Sequence, residues 1–267
     1  MVSDTAIDWV ESPAAVWRRH RNGFRVIRRF DPVQWHQLQG IERQQSALAA
    51  NTERFLAGQP ANNALLWGAR GTGKSSLIKA LLNRYSGQGL RMIEVDKDDL
   101  VDLPDIVDDI CEQPYRFIIY CDDLSFEAGE SAYKALKSVL EGSLELPPEN
   151  VRVYATSNRR HLMPEFMSDN LKSNMVGDEL HPAEAIEEQV SLADRFGLQL
   201  SFYPFSQDVY LQAIDALFPE VANRDRLHEE AIRFALGRGV RNGRTAQQFY
   251  RQFGGATFSK QAARSGK

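Results

Sequence analysis

Gly68-Ala69-Arg70-Gly71-Thr72-Gly73-Lys74-Ser75 matches the phosphate-binding pattern G-x-x-x-x-G-K-[ST] at each fixed position. The apolar run Ala64-Leu65-Leu66-Trp67 just before it reads as a buried strand, and Ser75 to Leu82 just after it reads as a helix with an apolar face. Strand, glycine loop and helix follow in the order that such a site needs. Glycines let the backbone wrap a polyphosphate, so that amide N–H groups and the positive helix end point at the anion. Lys74 then reaches the β and γ phosphates, and Ser75 offers its hydroxyl to Mg²⁺. The stretch predicts a nucleotide-binding α/β domain.

Outward from the loop, strands and helices alternate, the signature of a parallel sheet covered on both faces. Strands are expected at Leu90 to Val95, Phe117 to Cys121, Val151 to Thr156 and Leu198 to Tyr203, and helices over 73–85, 104–112, 129–142 and 206–217. Upstream, Leu38 to Leu56 has helical spacing and leads into the Gly58-Gln59-Pro60 turn. Beyond Pro219 the pattern is helical only, at 225–237 and 244–253. The expected organisation is a basic N-terminal arm (1–37), a five-stranded parallel sheet domain flanked by helices (38–218), a small helical lid (219–253) and a frayed tail (254–267). The connection 157–197 is long enough to suggest a functional or mobile loop.

Arg116-Phe117-Ile118-Ile119-Tyr120-Cys121-Asp122-Asp123 is an apolar strand ending in two carboxylates, at the end of a sheet where ligands bind. Asp122 is placed to hold the Mg²⁺ shell opposite Ser75, and Asp123 to orient or polarise the attacking water. At the end of the next strand, Asn158 is a candidate to hydrogen-bond the water or the γ-phosphate, with a turn-forming Asn as the other reading. Arg195, before the last strand, and Arg244, at the start of the last helix, are candidates to stabilise the charge that phosphoryl transfer builds up.

Composition bounds the alternatives. With 267 residues, 43% hydrophobic and 25% charged, the chain has ordinary soluble composition. It has no apolar run near the roughly 18 residues that span a bilayer and no basic-then-apolar leader, so a cytoplasmic location without membrane contact is expected. The cysteines, Cys111 and Cys121, and five scattered histidines form no spaced metal cluster. A net charge of −4 argues against a protein coated generally in nucleic acid. Locally, however, Arg18, Arg19, Arg21, Arg25, Arg28 and Arg29 are interleaved with Trp17, Phe24 and Phe30. They read either as a nucleic-acid or partner-binding arm or as a basic segment packed on the protein's own acidic surface. The acidic run from Asp96 to Asp109 reads as a solvated face or interaction surface.

Together these residues resemble the AAA+ family of ATPases over about 38–253, with the elements in family order. The resemblance implies an adenine pocket near Leu38-Gln39-Gly40-Ile41, a phosphate loop at 68–75, an acidic strand at 117–123, Asn158 as sensor 1, Arg195 as arginine finger and Arg244 as sensor 2. More narrowly, Cys121 to Glu127 and Ala155 to Leu162 resemble a bacterial group of AAA+ ATP-binding proteins described only as a domain of unknown function. The family likeness implies ATP held between sheet domain and lid, and assembly into rings or filaments in which Arg195 serves a neighbour's site. Members usually carry Asp-Glu where this chain has Asp122-Asp123, a shorter carboxylate that would hold the water less well and slow hydrolysis; Glu127 reads first as a helix-start carboxylate and second as a substitute base, and Arg159 and Arg160 compete for the finger role.

The expected function is an ATPase that couples ATP·Mg²⁺ hydrolysis to remodelling or loading of a protein or nucleic-acid partner. A nucleotide-dependent switch or adaptor with little hydrolysis is the rival. A P-loop kinase is a third reading, against which the lid helices and Arg244 argue.

Overall fold

The computed structural model describes residues 7–125, 131–141, 146–158 and 192–254. Seven strands form one sheet: β1 (Ala14–Arg18), β2 (Gly23–Val26), β3 (Ala64–Gly68), β4 (Leu90–Glu94), β5 (Arg116–Cys121), β6 (Val151–Ser157) and β7 (Leu198–Phe202). Their order is β2-β1-β4-β5-β6-β3-β7, parallel except for the antiparallel β1–β2 pair. Strand β5 shows why the middle strands read as unbroken apolar runs. Phe117, Ile119 and Cys121 enter one core and Ile118 and Tyr120 the other, because both faces of a parallel sheet are covered.

One face packs α3 (Leu103–Ile110) and α4 (Ser131–Glu141) against the sheet; the other packs α1 (Glu42–Leu56) and α2 (Lys74–Tyr85). A helical unit of α5 (Gln207–Leu217), α6 (Arg224–Arg238) and α7 (Gly243–Phe253) has its own core of Tyr210, Ile214, Phe218, Leu227 and Phe249, so the helix at 206–217, expected to belong to the sheet domain, packs instead with the helices beyond 219 expected as a lid. Helices α5, α6 and α7 are capped by Ser206, Asn223 and Asn242, whose side chains accept from the backbone N–H of Val209, Arg226 and Thr245.

The sheet has two strands more than the five expected. The segment read as a basic arm supplies them: β1 pairs in parallel with β4, and Ala14, Ala15, Val16 and Trp17 are buried. The bland reading holds for two of its arginines, since Arg18 lies 3.3 Å from Asp96 and Arg19 lies 3.6 Å from Asp102. Among the described residues no helix is long and apolar enough to cross a membrane. Glu127, Arg159, Arg160 and the tail beyond Gly254 lie outside the described residues.

Candidate nucleotide site

The loop after β3 is shaped by close approaches that only glycine permits. Gly68 has φ +132°, and a Cβ there would lie 2.0 Å from the Phe202 carbonyl oxygen of β7. Gly71 has φ +77°, and a Cβ there would meet the Asn242 amide at 2.6 Å. Thr72 donates its hydroxyl to the Ala69 carbonyl at 2.8 Å, closing the loop on itself. Ile41, at the start of α1, is buried, with its Cδ1 3.4 Å from where a Gly73 Cβ would stand.

Lys74 opens α2 with only 7% of its surface exposed. Its Nζ donates to the carbonyls of Gly68 at 2.7 Å and Ala69 at 2.8 Å and to Asn158 Oδ1 at 3.2 Å. Burial lowers its pKa, against the pull of Asp123 and Asp122. The charges of Arg70 and then Arg244 lower it further. The Arg244 backbone N–H donates to the Gly71 carbonyl at 3.3 Å.

Opposite the loop, Asp122 Oδ1 accepts from Ser75 at 2.7 Å and from Thr156 at 2.5 Å. Burial pushes the Asp122 carboxyl up, but the Thr156 and Ser75 hydroxyls outweigh it and hold the group below the usual carboxylate range. Asn158 joins the two halves of the site. Its Oδ1 accepts from Lys74 and its Nδ2 donates to Asp123 Oδ1. Asp123 is also 3.8 Å from Arg70, an exposed pair of little energetic weight. Its backbone lies in the left-handed region, at φ +51°.

The structure therefore gathers the phosphate loop, Asp122, Asp123, Asn158 and Arg244 at the carboxyl ends of β3, β5 and β6. Arg195 is elsewhere, in the turn before β7, paired with Glu141 at the end of α4.

Three contributors escaped the sequence reading. Thr156 bridges the acidic pair, with its hydroxyl donating to Asp122 and accepting from the Asp123 N–H at 2.9 Å. Its signal was its place two residues before Asn158 on the same strand face. Asn242, 5% exposed, caps α7 through Thr245 and donates to the Arg70 carbonyl at 3.0 Å, fastening the lid to the loop. The Asn-Gly-Arg-Thr run signals a cap but not that contact. Tyr120, 4% exposed, has a hydroxyl with no hydrogen-bond partner among the described residues, although it lies close enough to Ser75 and Asp122 to feel both. Sequence alone reads it as one more apolar strand residue.

That orphaned hydroxyl, the Ser75 and Asp122 oxygens and the glycine cradle fit a nucleotide with Mg²⁺. This ion keeps several waters and takes one or two protein oxygens together with phosphate. No group of three or more His, Cys, Asp or Glu side chains able to hold a metal without a nucleotide occurs among the described residues.

Comparison with known proteins agrees with this architecture. The family described as "Protein of unknown function (DUF815)" matches residues 10–257. The chain belongs to the DUF815 family. No curated protein matches in sequence. Among solved structures, Orc1 of Aeropyrum pernix, in complex with DNA, is similar at 17% identity and a TM-score of 0.50, over 78% of this chain and 58% of that one. The RuvB Holliday junction branch migration motor of Thermotoga maritima is similar at 12% identity and a TM-score of 0.48, over 83% of this chain and 72% of that one. The DUF815 chain thus shares its fold with Orc1, and the family match begins at residue 10, so the family spans the β1–β2 hairpin as well as the rest of the sheet and the helices after it.

Proposed function

We propose that this chain is an ATPase of the AAA+ type, which binds ATP·Mg²⁺ and couples its hydrolysis to remodelling or loading of a partner. The observation that carries this reading is the Asn158 amide, which spans Lys74 and Asp123 and so links the phosphate-binding group to the candidate base. Mg²⁺, held by Ser75 and Asp122 with the phosphates, would neutralise charge on the transferring group. Lys74, already desolvated and surrounded by carbonyls, would turn to the β and γ phosphates, with Arg244 bringing a second cation from the lid. Asn158, released from Lys74 on one side, would report phosphate to Asp123, which would polarise the attacking water. Positioning and electrostatics supply the rate. Arg195 would act as the finger in a neighbouring copy of a ring or filament, after leaving Glu141.

The test is Mg²⁺-dependent ATP turnover per protomer over a wide range of protein concentration, with Lys74→Ala as blank. A rate that rises with concentration and vanishes in the variant is expected; turnover unchanged in Lys74→Ala would overturn the site. Arg195→Ala should spare ATP binding and lower turnover, and mixing it with Asp123→Asn protein should restore part of the activity.

The second reading, an ATP-dependent switch with little hydrolysis, is favoured by one observation. Asp123 is short, set in a left-handed backbone conformation and engaged by both Asn158 and Arg70. Tight Mg²⁺-dependent ATP binding without turnover at any concentration would select it.

A further inference from the structure

Residues 18–29 contain six arginines, one histidine and no acidic residue, in a chain whose net charge is −4. The structure divides these arginines into two sets. Arg18 and Arg19 face Asp96 and Asp102. Arg21, Arg25, Arg28 and Arg29 are exposed and form no ion pair with any described residue.

The second set is carried on a fixed ribbon. Phe24 of β2 packs edge-on against Trp9 and Trp17, at ring-centroid distances of 5.9 and 5.0 Å, and Trp17 Nε1 donates to Asp102 at 2.9 Å. Strand β2 pairs with β1 alone, which leaves its outer edge bare among the described residues. Arg21 ends the short helical turn Arg19–Arg21, Arg25 lies on β2, and Arg28 and Arg29 follow just beyond it, so the four cations are spread along the ribbon rather than clustered at one point.

Just past these arginines the chain is tied to the phosphate-loop helix. Lys79 Nζ lies 3.2 Å from Asp31, and Asn83 Nδ2 donates to the carbonyls of Asp31 at 2.8 Å and Val33 at 2.9 Å. Helix α2, which carries Lys79 and Asn83, begins at Lys74.

We propose that the β1–β2 ribbon docks the phosphate backbone of a nucleic acid, and that this docking is coupled through α2 to nucleotide at the phosphate loop. Every side-chain cation before Lys74, histidine aside, is an arginine, whose planar two-pronged guanidinium matches phosphate oxygens. Trp17 and Phe24 point into the core, so the ribbon offers no aromatic platform for bases from these residues. Contacts then go to phosphates, which position a nucleic acid without reading its sequence. The coupling rests on the ATP-site reading above; the docking does not. Bare arginines on an edge strand also discourage added strands, which is their purely structural role.

Deleting residues 1–30 is no test, because it removes two strands of the sheet. The decisive variant is Arg21→Gln/Arg25→Gln/Arg28→Gln/Arg29→Gln in the full chain, with its fold checked by circular dichroism. Binding of labelled single-stranded and duplex oligonucleotides of mixed sequence is read by fluorescence anisotropy at about 50 and about 200 mM salt. Wild type should bind both, independently of sequence and with a steep loss at the higher salt, and the variant should bind about tenfold or more weakly with a shallower salt slope. Equal binding by the two proteins, or a wild type that prefers polyglutamate to either oligonucleotide, would overturn the docking. For the coupling, saturating oligonucleotide should shift the affinity for a fluorescent ATP analogue about fivefold or more in wild type. Lys79→Ala/Asn83→Ala should bind the oligonucleotide normally and lose the shift. An unchanged affinity in wild type would overturn the coupling and leave docking standing, whereas absence of any analogue binding would count against the ATP site itself.

Discussion

At the β7 edge of the sheet a side chain reaches the strand backbone: Gln44 of α1 donates to the Ser201 carbonyl at 2.7 Å, while the inner side of β7 pairs with β3 up to the phosphate loop, and the helical unit follows directly. At the β2 edge the outer side is bare and lined with arginines that have no acidic partner among the described residues. The difference separates two ways of handling polar groups. At the phosphate loop Lys74, Asp122 and Asn158 each have two or more partners, which suits a compact ligand with many contacts. Near β2 the cations stand in water, fixed in place only by the aromatic packing beneath them, which suits a long partner contacted one charge at a time.

The strongest test of this contrast is Trp17→Ala. Trp17 is 2% exposed and joins the ribbon to the main core, so the substitution should cost about 3–5 kcal/mol of stability in urea denaturation. A near-neutral result would mean that the β2 edge is an appendage after all. Next, Asn242→Ala removes a helix cap and the lid's bond to Arg70, and should cost about 1–3 kcal/mol. Hydrogen exchange should show the loss confined to the lid; protection lost evenly across the sheet would contradict a separately fastened lid. A smaller effect of opposite sign is expected for Tyr120→Phe, which removes a buried hydroxyl without a partner. It should stabilise the nucleotide-free protein by about 1 kcal/mol, read as a higher melting temperature, and weaken Mg²⁺-dependent nucleotide binding. Stabilisation without any change in Mg²⁺ dependence would remove Tyr120 from the site.

The smallest effect concerns pH. Because the Asp122 pKa is lowered on folding, the unfolded chain binds the proton more readily at acidic pH. The stability this group contributes is present above the ordinary carboxylate range and lost as pH falls through its folded value. The difference in urea midpoint between wild type and Asp122→Asn should therefore narrow from neutral pH toward the acid side, modestly, since the carboxyl is only partly withdrawn from solvent. A gap that widens on acidification would reverse the assignment.

The parallel core was legible because buried strands, glycine loop and helix carry strong local signals: strands β3 to β7 and helices α1 to α7 of the described residues fall within a few residues of their expected positions. The β1–β2 hairpin was not, because Ala14-Ala15-Val16-Trp17 is a short apolar run beside dense charge, and its pairing with β4 spans more than seventy residues of sequence. In the site, the fixed motif positions told where Lys74, Ser75 and Asp122 would meet. Asn242, Thr156 and the orphaned Tyr120 hydroxyl depend on how the lid and strand ends come together, and no local pattern records that.

The left-handed backbone at Asp123 has one further consequence, for engineering. Asp and Asn tolerate that conformation because their short side chains bond locally, whereas a longer side chain gains no such relief. Grafting glutamate onto this position would therefore not simply lengthen the reach of the carboxylate by a methylene. It would set the new side chain against its own main chain, so that the residue and the turn beneath it would have to be exchanged as a unit.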